Sequence, residues 1–339
     1  MGVLAIPSRV QRTHPWLLAC ILVVMLLGLY CARHILYETW TLAALPFVWT
    51  HHAERFYISA ERDGFDITFA NYSIHQTSAA PSADLVPPIL HHISLGSGAA
   101  THSKWAAVRQ SCLDMHPGWD AFLWTDETAN ELVADSFPEL YEMWTTYRYP
   151  IQKIDALRYM VLYKYGGSHI AGVILDMDLQ CKRALGPLRR FEFVAPAAHP
   201  TGFSIGFMMA SKGNEYVGKL VKNLARYNRH WLGLPYPTVM FSTGCHYAST
   251  VHAFQRHRTE LKILAGPKED PRLHSLNGPV STPIFNHLGS SSWHSYDAAM
   301  IVSLGKRHGL LPLAFIAAIG AMFFTIRRTK KRRVTMLKG

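Results

Sequence analysis

The chain has 339 residues, is 49% hydrophobic and carries a formal net charge of +11. A chain of this length is sufficient for one large domain or two small ones, so it can bury a sizeable core. Nine of the excess positive charges lie in residues 1–14 and 327–339, which leaves the body nearly neutral. This distribution argues against a nucleic-acid-binding protein, which would carry a basic groove on its folded domain.

Two uncharged apolar segments, residues 15–32 and 309–326, are each close to the ~17–25 residues that a helix needs to cross a bilayer. The first lacks a small-x-small cleavage site, and the second leads directly into "RRTKKRR". We therefore predict two transmembrane helices. By the positive-inside rule, the basic head (1–14) and tail (327–339) are cytosolic and the body is lumenal. A cleaved signal peptide and a buried core helix are the alternative interpretations.

Residues 33–86 are predicted to be a stem that leads to a folded domain over residues 87–308. An apolar run within the stem is interrupted by Pro46, so we expect it to lie against the membrane or the domain rather than to cross. The remainder is rich in small and polar residues and ends at two prolines. Three cysteines lie in the body, which allows at most one intrachain disulfide there: Cys112, Cys181 and Cys245.

The domain begins with an alternation of strands and helices. "ILHHISLG" has strand character, and Trp105, Val108 and Cys112 then fall on one helical face. "WDAFLWT" alternates as a second strand, and Thr125 or Asp126 can cap the helix that follows. This order predicts an α/β sheet with helices on its faces, in which ligands bind beyond the carboxyl ends of the strands.

The segment "IQKIDALRYMVLYKYGG" has the clearest helical pattern in the chain, with an apolar stripe that is stopped by Gly166 and Gly167. Asp155 and Arg158 are three residues apart and share a face of this helix. Their spacing alone favours a solvated ion pair.

A buried strand is predicted next, in "VILDMDLQC", and it ends with Asp176 and Asp178. Residues two apart on a strand point the same way, so the two carboxylates converge and repel each other unless a cation lies between them. A hard divalent ion that itself holds a diphosphate would satisfy both carboxylates. A charged turn is the alternative interpretation, since such triplets are common.

Four segments together resemble the DxD-containing glycosyltransferases of the fungal mannosyltransferase group (glycosyltransferase family 32): "PPILHHISLG", "HPGWDAFLWTDE", "IDALRYMVLYKYGG" and "LDMD". That group includes the initiating α-1,6-mannosyltransferase of the Golgi and the catalytic subunits of mannosyl inositol phosphorylceramide synthase. The resemblance covers roughly residues 87–297. It implies a GT-A fold, with a Rossmann-like nucleotide-binding half joined to an acceptor half, between the two transmembrane helices.

The resemblance also implies a role for each matching position. Asp176 and Asp178 would hold Mn²⁺ or Mg²⁺ and the diphosphate of GDP-mannose, and the reaction would retain configuration at the sugar carbon. Asp155 and Arg158 would contact the donor sugar or its phosphate, which replaces the solvated ion pair as our expectation. The implied catalytic residues are Asp155, Arg158, Asp176 and Asp178; the implied donor-binding residues are Trp124, Asp126, Asp155, Arg158, Gly166 and Gly167.

Two later segments also match the group. Thr243 and Gly244 correspond to its later Thr-Gly element. "NHLGSSSWHSYDA" is similar to a late segment of the lipid-modifying members. A late metal or phosphate contact and an aromatic anchor near the membrane are equally open interpretations for this segment, whose residues are His287, Ser292, Trp293, His294 and Asp297.

The chain departs from the group's pattern beside the aspartate pair. Three residues usually separate the two glycines from the first aspartate, whereas eight do so here. Removal of "SHIAG" would restore the pattern, so we interpret residues 168–172 as the product of an alternative splice acceptor or an error in the gene model. The insertion is the reason to keep a non-catalytic membrane subunit or scaffold as a hypothesis.

The function predicted from the sequence is transfer of mannose from GDP-mannose to inositol phosphorylceramide, by a multi-pass Golgi membrane protein with a lumenal catalytic domain. The second predicted span favours an acceptor embedded in the membrane. The resembled synthases act with a regulatory subunit, so we expect a membrane partner of that kind and no nucleic acid. The alternative within the same chemistry is a Golgi α-mannosyltransferase that acts on protein N-glycans.

Overall fold

The computed structural model describes residues 15–80, 83–96, 103–163, 171–199, 201–231, 233–289 and 296–306. The second predicted span and both basic ends lie outside these residues. Five residues singled out from the sequence also lie outside them: Gly166, Gly167, Ser292, Trp293 and His294.

A mixed six-stranded sheet forms the centre of the fold, as the alternation of strands and helices predicts. Its strands lie in the order β2-β1-β3-β6-β5-β7, and β6 runs antiparallel to both of its neighbours. The other neighbouring pairs are parallel. The strands are β1 (Ile89–Ile93), β2 (Asp120–Trp124), β3 (Gly172–Leu175), β5 (Phe193–Pro196), β6 (Phe207–Ala210) and β7 (Leu261–Leu264).

A small antiparallel sheet of three strands follows the aspartate pair, in the order β4-β9-β8. Its strands are β4 (Leu179–Cys181), β8 (Val280–Ser281) and β9 (Phe285–His287). Because β4 begins directly after Asp178, this sheet brings a distant part of the chain beside the aspartate pair.

Ten α-helices lie within the described residues, together with a short 3-10 helix at Gly186–Arg190. The α-helices are α1 (Pro15–Phe56), α2 (Ala60–Asp63), α3 (Ser103–Met115), α4 (Asp126–Ser136), α5 (Pro138–Thr145), α6 (Pro150–Tyr163), α7 (Glu215–Tyr227), α8 (Pro235–Ser242), α9 (Cys245–Ala253) and α10 (Tyr296–Lys306).

Two hydrophobic clusters cover the two faces of the large sheet. One contains Ile93, Ile174 and Met208 from the strands and is covered by α1, α4, α5, α6, α7 and α9. The other contains Val173 and Met209 and is covered by α3, the small sheet and the chain that follows α1. Strands β1, β3, β5 and β6 are therefore buried on both faces, as the apolar start of the predicted β3 indicates, whereas the edge strand β2 is partly exposed.

The segment expected to be a stem contributes to the folded core. Helix α1 continues through Pro46 instead of ending near it, and it buries Leu45, Trp49 and Phe56 in the first cluster. The chain after α1 buries Phe65 in the second cluster. The interruption expected at Pro46 does not occur, and packing against α9 and β7 holds this part of α1 on the domain.

The apolar part of α1 is long enough to cross a membrane by length and composition. The stretch Ala19–His51 spans 33 residues, and its apolar 18-residue window has a mean hydropathy of 2.1 and no part buried in the protein. The sequence predicts two such helices; the second lies outside the described residues.

A disulfide links Cys112 in α3 to Cys181 in β4. The sequence allowed one disulfide among three cysteines without selecting the pair. Cys245, the third cysteine of the body, is a free thiol.

Candidate active site at the carboxyl edge of the sheet

The aspartate pair and the "LWTDE" segment lie at the same edge of the sheet, each at the end of a strand. Strand β1 is parallel to both β2 and β3, and His92 is paired with Leu123 on one side and Leu175 on the other. The carboxyl ends of these three strands therefore meet at one edge, which is where ligands bind in sheets of this kind. Asp126 and Asp176 each follow a strand at this edge.

Arg158 connects two carboxylates at the site. Its Nε and Nη2 atoms donate to Asp176 Oδ1 at 3.0 and 2.6 Å, while Nη1 donates to Asp155 Oδ1. Arg158 and Asp155 are only 5% and 3% exposed. The solvated ion pair expected from spacing alone is wrong, because the two side chains form a buried network with the first aspartate of the DxD triplet.

The second oxygen of Asp155 is also bonded within the protein. Thr243 Oγ1 donates to Asp155 Oδ2 at 3.1 Å, and Tyr159 donates its hydroxyl proton to the carbonyl of Thr243 at 2.5 Å. Asp155 was expected from the resemblance to contact the donor directly. In this structure each of its oxygens accepts a hydrogen bond from the protein, so Asp155 orients Arg158, and a direct contact with the donor stays a prediction.

A close backbone approach shapes the other side of Asp176. The Asp176 amide donates to the carbonyl of Gly206 at 2.8 Å. A Cβ at position 206 would lie 2.8 Å from Asp176 Oδ2, so only glycine leaves this oxygen its space. The run "FSIGFMMASKGN" was interpreted as a small-residue strand and loop near the acceptor, but the contact between Gly206 and Asp176 was not predicted.

Asp178 lies beside a histidine from the small sheet. Leu179 and His287 are paired partners in β4 and β9, and His287 Nε2 is 3.4 Å from Asp178 Oδ2. The Leu288 amide donates to the carbonyl of Asp178 at 2.9 Å. His287 was one of the late residues with two open interpretations, and its position here favours the metal or phosphate contact over the membrane anchor.

Burial sets the protonation of the acidic groups at this edge. It raises the pKa of Asp176 to about 6. The positive charge of Arg158 opposes this increase, and the negative charge of Asp178 adds to it. Burial likewise raises the pKa of Asp155, against the pull of Arg158. Burial also raises the pKa of the Cys245 thiol to about 11, so this neighbouring residue is not a thiolate nucleophile at neutral pH.

The donor set at the site suits a hard divalent cation. Asp176 and Asp178 supply carboxylate oxygens, which Mg²⁺ and Mn²⁺ prefer, and Asp176 Oδ2 is the oxygen that does not bind Arg158. Within the described ranges, no group of three or more His, Cys, Asp or Glu side chains is arranged to hold a metal alone. Mg²⁺ in phosphate-binding sites needs only one or two carboxylates, because substrate oxygens complete its coordination.

The remaining predicted residues occupy three kinds of position. Trp124 is buried and donates its indole N–H to His91 Nδ1 at 3.3 Å, while Asp126 is exposed and accepts from the Gly96 amide at 2.8 Å. Asp297 is fully buried and accepts from the Tyr236 and Ala298 amides, which holds the start of α10 against α8. The interpretation of Asp297 as a late ligand contact stays a prediction.

The insertion before the aspartate pair is partly described. Residues 168–170 lie outside the described chain, whereas Ala171 and Gly172 are buried and Gly172 begins β3. A Cβ at position 172 would lie 2.7 Å from the Ile89 carbonyl oxygen, so this position requires glycine. Removal of "SHIAG" would place Gly167 there, so both versions of the chain satisfy this requirement.

A family profile, a solved structure and several curated proteins are similar to this chain. A profile described as "Glycosyltransferase sugar-binding region containing DXD motif" matches residues 102–194, which include Asp155, Arg158, Asp176 and Asp178. Among solved structures, the PaToxG glycosyltransferase matches with a TM-score of 0.36 and 18% identity, over 53% of this chain and 74% of that chain.

Three relatives from yeasts share about a third of their aligned residues with this chain. Inositol phosphoceramide mannosyltransferase 1 of Schizosaccharomyces pombe is 30% identical over 76% of this chain and 78% of the relative. Mannosyl phosphorylinositol ceramide synthase SUR1 of Saccharomyces cerevisiae is 32% identical over 67% of this chain and 56% of the relative. Inositol phosphoceramide mannosyltransferase 3 of S. pombe is 30% identical, with coverages of 68% and 61%.

Proposed function

This chain belongs to the inositol phosphoceramide mannosyltransferase family and is a glycosyltransferase, and from this premise we propose that it transfers mannose from GDP-mannose to inositol phosphorylceramide. The observation that carries the proposal is the placement of the two DxD carboxylates. Asp176 and Asp178 lie at the carboxyl edge of the parallel strands, one bound by Arg158 and the other beside His287. We assign the domain to the GT-A type.

Asp176 and Asp178 are the residues that would hold Mn²⁺ or Mg²⁺ in this proposal. A bound divalent ion would neutralise the negative charge that develops on the departing diphosphate. The residues of the chain prepare this position: Arg158 fixes the rotamer of Asp176 through two bonds to Oδ1, and Gly206 leaves Oδ2 open. His287 holds Asp178 in place, with its Nε2 3.4 Å from Asp178 Oδ2.

The proposed reaction breaks the bond between the sugar carbon and the diphosphate oxygen, and it forms a bond from that carbon to an inositol hydroxyl oxygen. GDP leaves with the electron pair, and the hydroxyl proton passes to solvent. Retention at the sugar carbon is part of the proposal. The raised pKa of Cys245 excludes its thiolate as a nucleophile at neutral pH, and we assign no other protein nucleophile.

We propose a membrane location with a lumenal catalytic domain, in the Golgi, together with a regulatory membrane subunit. The apolar part of α1 supports membrane attachment, because it is long enough to cross a bilayer and none of its apolar window is buried in the protein. A membrane-attached domain is suited to an acceptor whose ceramide tails lie in the same bilayer.

The test is transfer of labelled mannose from GDP-mannose to inositol phosphorylceramide in membranes that contain the full chain and its membrane subunit. We expect a divalent-cation-dependent lipid product, and a loss of at least ~10²-fold in Asp176→Asn/Asp178→Asn, because the charge at the diphosphate is then uncompensated. Glu131→Gln/Asp135→Asn is the matched control, since both residues are exposed on α4.

Two further arms separate the alternatives. Full activity in the aspartate variant would contradict the proposal and leave the scaffold hypothesis. Product on an N-glycan acceptor, with none on the lipid, would move the proposal to that acceptor. A chain that lacks residues 168–172 is assayed alongside, and activity only in the shortened chain would identify the insertion as the defect.

A further inference from the structure

A cleft of about 260 Å³ lies between α1 and the carboxyl end of α7. None of the residues at the candidate active site lines it. Its lining includes Arg33, His34, Glu38, Arg226, Arg229 and Trp231.

The cleft is positively charged. The guanidinium groups of Arg33, Arg226 and Arg229 all lie close enough to His34 to act on it electrostatically. Within the part of the chain that the structure describes, neither Arg226 nor Arg229 forms a salt bridge with a carboxylate. Like charges this close repel each other, so an anion between them would lower the free energy of the arrangement.

The one carboxylate in the lining faces the protein interior. Glu38 is 6% exposed and accepts from Thr41 Oγ1 at 3.1 Å, and its carboxylate lies 3.9 Å from His246 Nε2. It is thus engaged on the side of α9, which leaves the three arginines without a local counter-charge within the described residues.

Two polar atoms in the lining are shielded from solvent and unpaired, on side chains that are themselves half-buried. His34 Nε2 and Trp231 Nε1 have no hydrogen-bond partner among the described residues, although neither atom is accessible to solvent. The indole N–H can only donate, so it requires an acceptor oxygen. A phosphate has acceptor oxygens for the indole, the imidazole and the guanidinium groups together.

The cleft lies where the apolar part of α1 ends. Residues 15–32 carry no charge and would span about 27 Å at 1.5 Å per residue, close to the ~30 Å hydrocarbon core of a bilayer. Arg33 is the first charged residue after them, so a span over residues 15–32 places the cleft at the level of the lipid headgroups. The Tyr37 and Tyr227 hydroxyls, 2.9 Å apart, add the amphipathic aromatic groups that are enriched at this level.

We propose that this cleft binds the phosphate of a membrane lipid headgroup, with Arg226, Arg229 and Trp231 as its ligands. The volume accommodates a headgroup phosphate and not a whole lipid, whose tails remain in the bilayer beside α1. Such a site would hold the domain at a fixed height on the membrane. It does not depend on the proposed transfer activity.

The experiment measures lipid binding to the full chain in a neutral detergent by native mass spectrometry. The probes are phosphatidylinositol, inositol phosphorylceramide, diacylglycerol without phosphate, and inorganic phosphate. The variant is Arg226→Gln/Arg229→Gln, which changes two exposed side chains, and the matched control is Arg256→Gln/Lys268→Gln, which removes two exposed positive charges outside the cleft. Thermal unfolding of each chain verifies that it is folded.

We expect both phosphate-bearing lipids to bind, with a Kd at least tenfold higher in the arginine variant and unchanged within twofold in the control. Equal affinity for the two lipids identifies bilayer phospholipid as the source, and tenfold preference for inositol phosphorylceramide identifies the acceptor; both results support the site. Three results would each overturn it. They are a lipid affinity in the arginine variant equal to that of the native chain, an affinity for diacylglycerol or inorganic phosphate equal to that for the phosphate-bearing lipids, and a dimer of the native chain that dissociates in the variant.

Discussion

The guanidinium of Arg158 is bound on both sides by carboxylates, and this geometry determines what a substitution would do. Lysine keeps the charge but presents a single nitrogen, so it cannot donate to Asp155 and hold Asp176 through two bonds at once. We expect Arg158→Lys to lower kcat/KM for the proposed mannosyl transfer by about 10²-fold, because Asp176 loses its fixed orientation. Loss of bonds in a buried pair also destabilises the fold by up to ~3–5 kcal/mol.

The matched substitution is Arg148→Lys, which changes an exposed arginine near the start of α6. Transfer assays and thermal unfolding of both variants separate the two effects. If Arg158→Lys kept full activity while its Tm fell, the role of Arg158 would be structural and its assignment to the site would be wrong.

The buried, neutral ring of His116 predicts that the fold loses stability at acidic pH. Its Nδ1–H donates to the Cys112 carbonyl at 2.6 Å and its Nε2 accepts from the Leu185 amide at 2.9 Å, so the ring is held neutral. Burial lowers the pKa of His116 to about 4. The unfolded chain therefore binds more protons between the ordinary pKa of 6.5 and about pH 4, and stability falls as the pH is lowered through this window.

The pH effect is measured by thermal or urea unfolding of the detergent-solubilised chain between pH 7 and pH 4.5. His116→Gln retains a donor and an acceptor without a titrating ring, so its stability is expected to depend less steeply on pH than that of the native chain. His75→Gln, at an exposed histidine, is the control. Identical slopes for all three chains would show that His116 does not contribute to the loss.

Local sequence predicted some residue contacts and not others. Asp155 and Arg158 share a helical face, as their spacing predicts. Asp176 and Asp178 were expected at the end of one strand, whereas β3 ends at Leu175 and the pair lies in the turn before β4. The burial of Arg158 and the contact of Gly206 with Asp176 could not be predicted in this way. Both depend on segments far along the chain, and one sequence carries no signal for which distant residues meet.

The disulfide between α3 and β4 is the covalent link closest to the DxD turn, since β4 begins one residue after Asp178. It joins residues 69 apart, for which the chain-entropy model gives about 4 kcal/mol of stabilisation, and measured values are typically ~2–4 kcal/mol. We expect Cys112→Ser/Cys181→Ser to lower the Tm by several degrees. A lumenal domain is consistent with such a link, because disulfides persist in oxidising compartments.

Thiol counting checks the link directly. Alkylation of the denatured, unreduced chain is expected to label Cys20, Cys31 and Cys245, and all five cysteines only after reduction. Cys245→Ser serves as the matched substitution, since it removes a cysteine that forms no disulfide. Labelling of all five before reduction would show that the link is absent from the native protein.

Helices were predicted well where their pattern is local and less well where tertiary contacts change their environment. The apolar stripe of α6 predicted a helix, yet all residues from 155 to 162 are buried, because α7 and α8 cover its outer side. These covering helices come more than fifty residues later in the chain. The stripe could not show that Asp155 and Arg158 would be enclosed.

At the scale of the whole molecule, α1 is both the candidate membrane span and part of the core. Trp49 is 2% exposed, and its ring centroid lies 5.0 Å from those of Phe56 and His252. The sequence assigned this region to a stem and expected its apolar run to lie against the membrane or the domain, because the pattern around Pro46 does not distinguish these two surfaces. Arg258 lies over both Trp49 and Phe56, with its guanidinium 4.1 Å from the Phe56 ring centroid.

A chain that starts at residue 33 is therefore expected to fold in detergent, whereas one that starts at residue 57 loses Leu45, Trp49 and Phe56 from the core and is expected not to fold. Trp49→Ala in the full chain is expected to cost ~3–5 kcal/mol, and Trp40→Ala, at a side chain that is 52% exposed, far less. Near-ultraviolet circular dichroism and thermal unfolding measure each chain. Cooperative unfolding of the chain from residue 57, with an unchanged Tm, would show that α1 only anchors the domain and does not complete it.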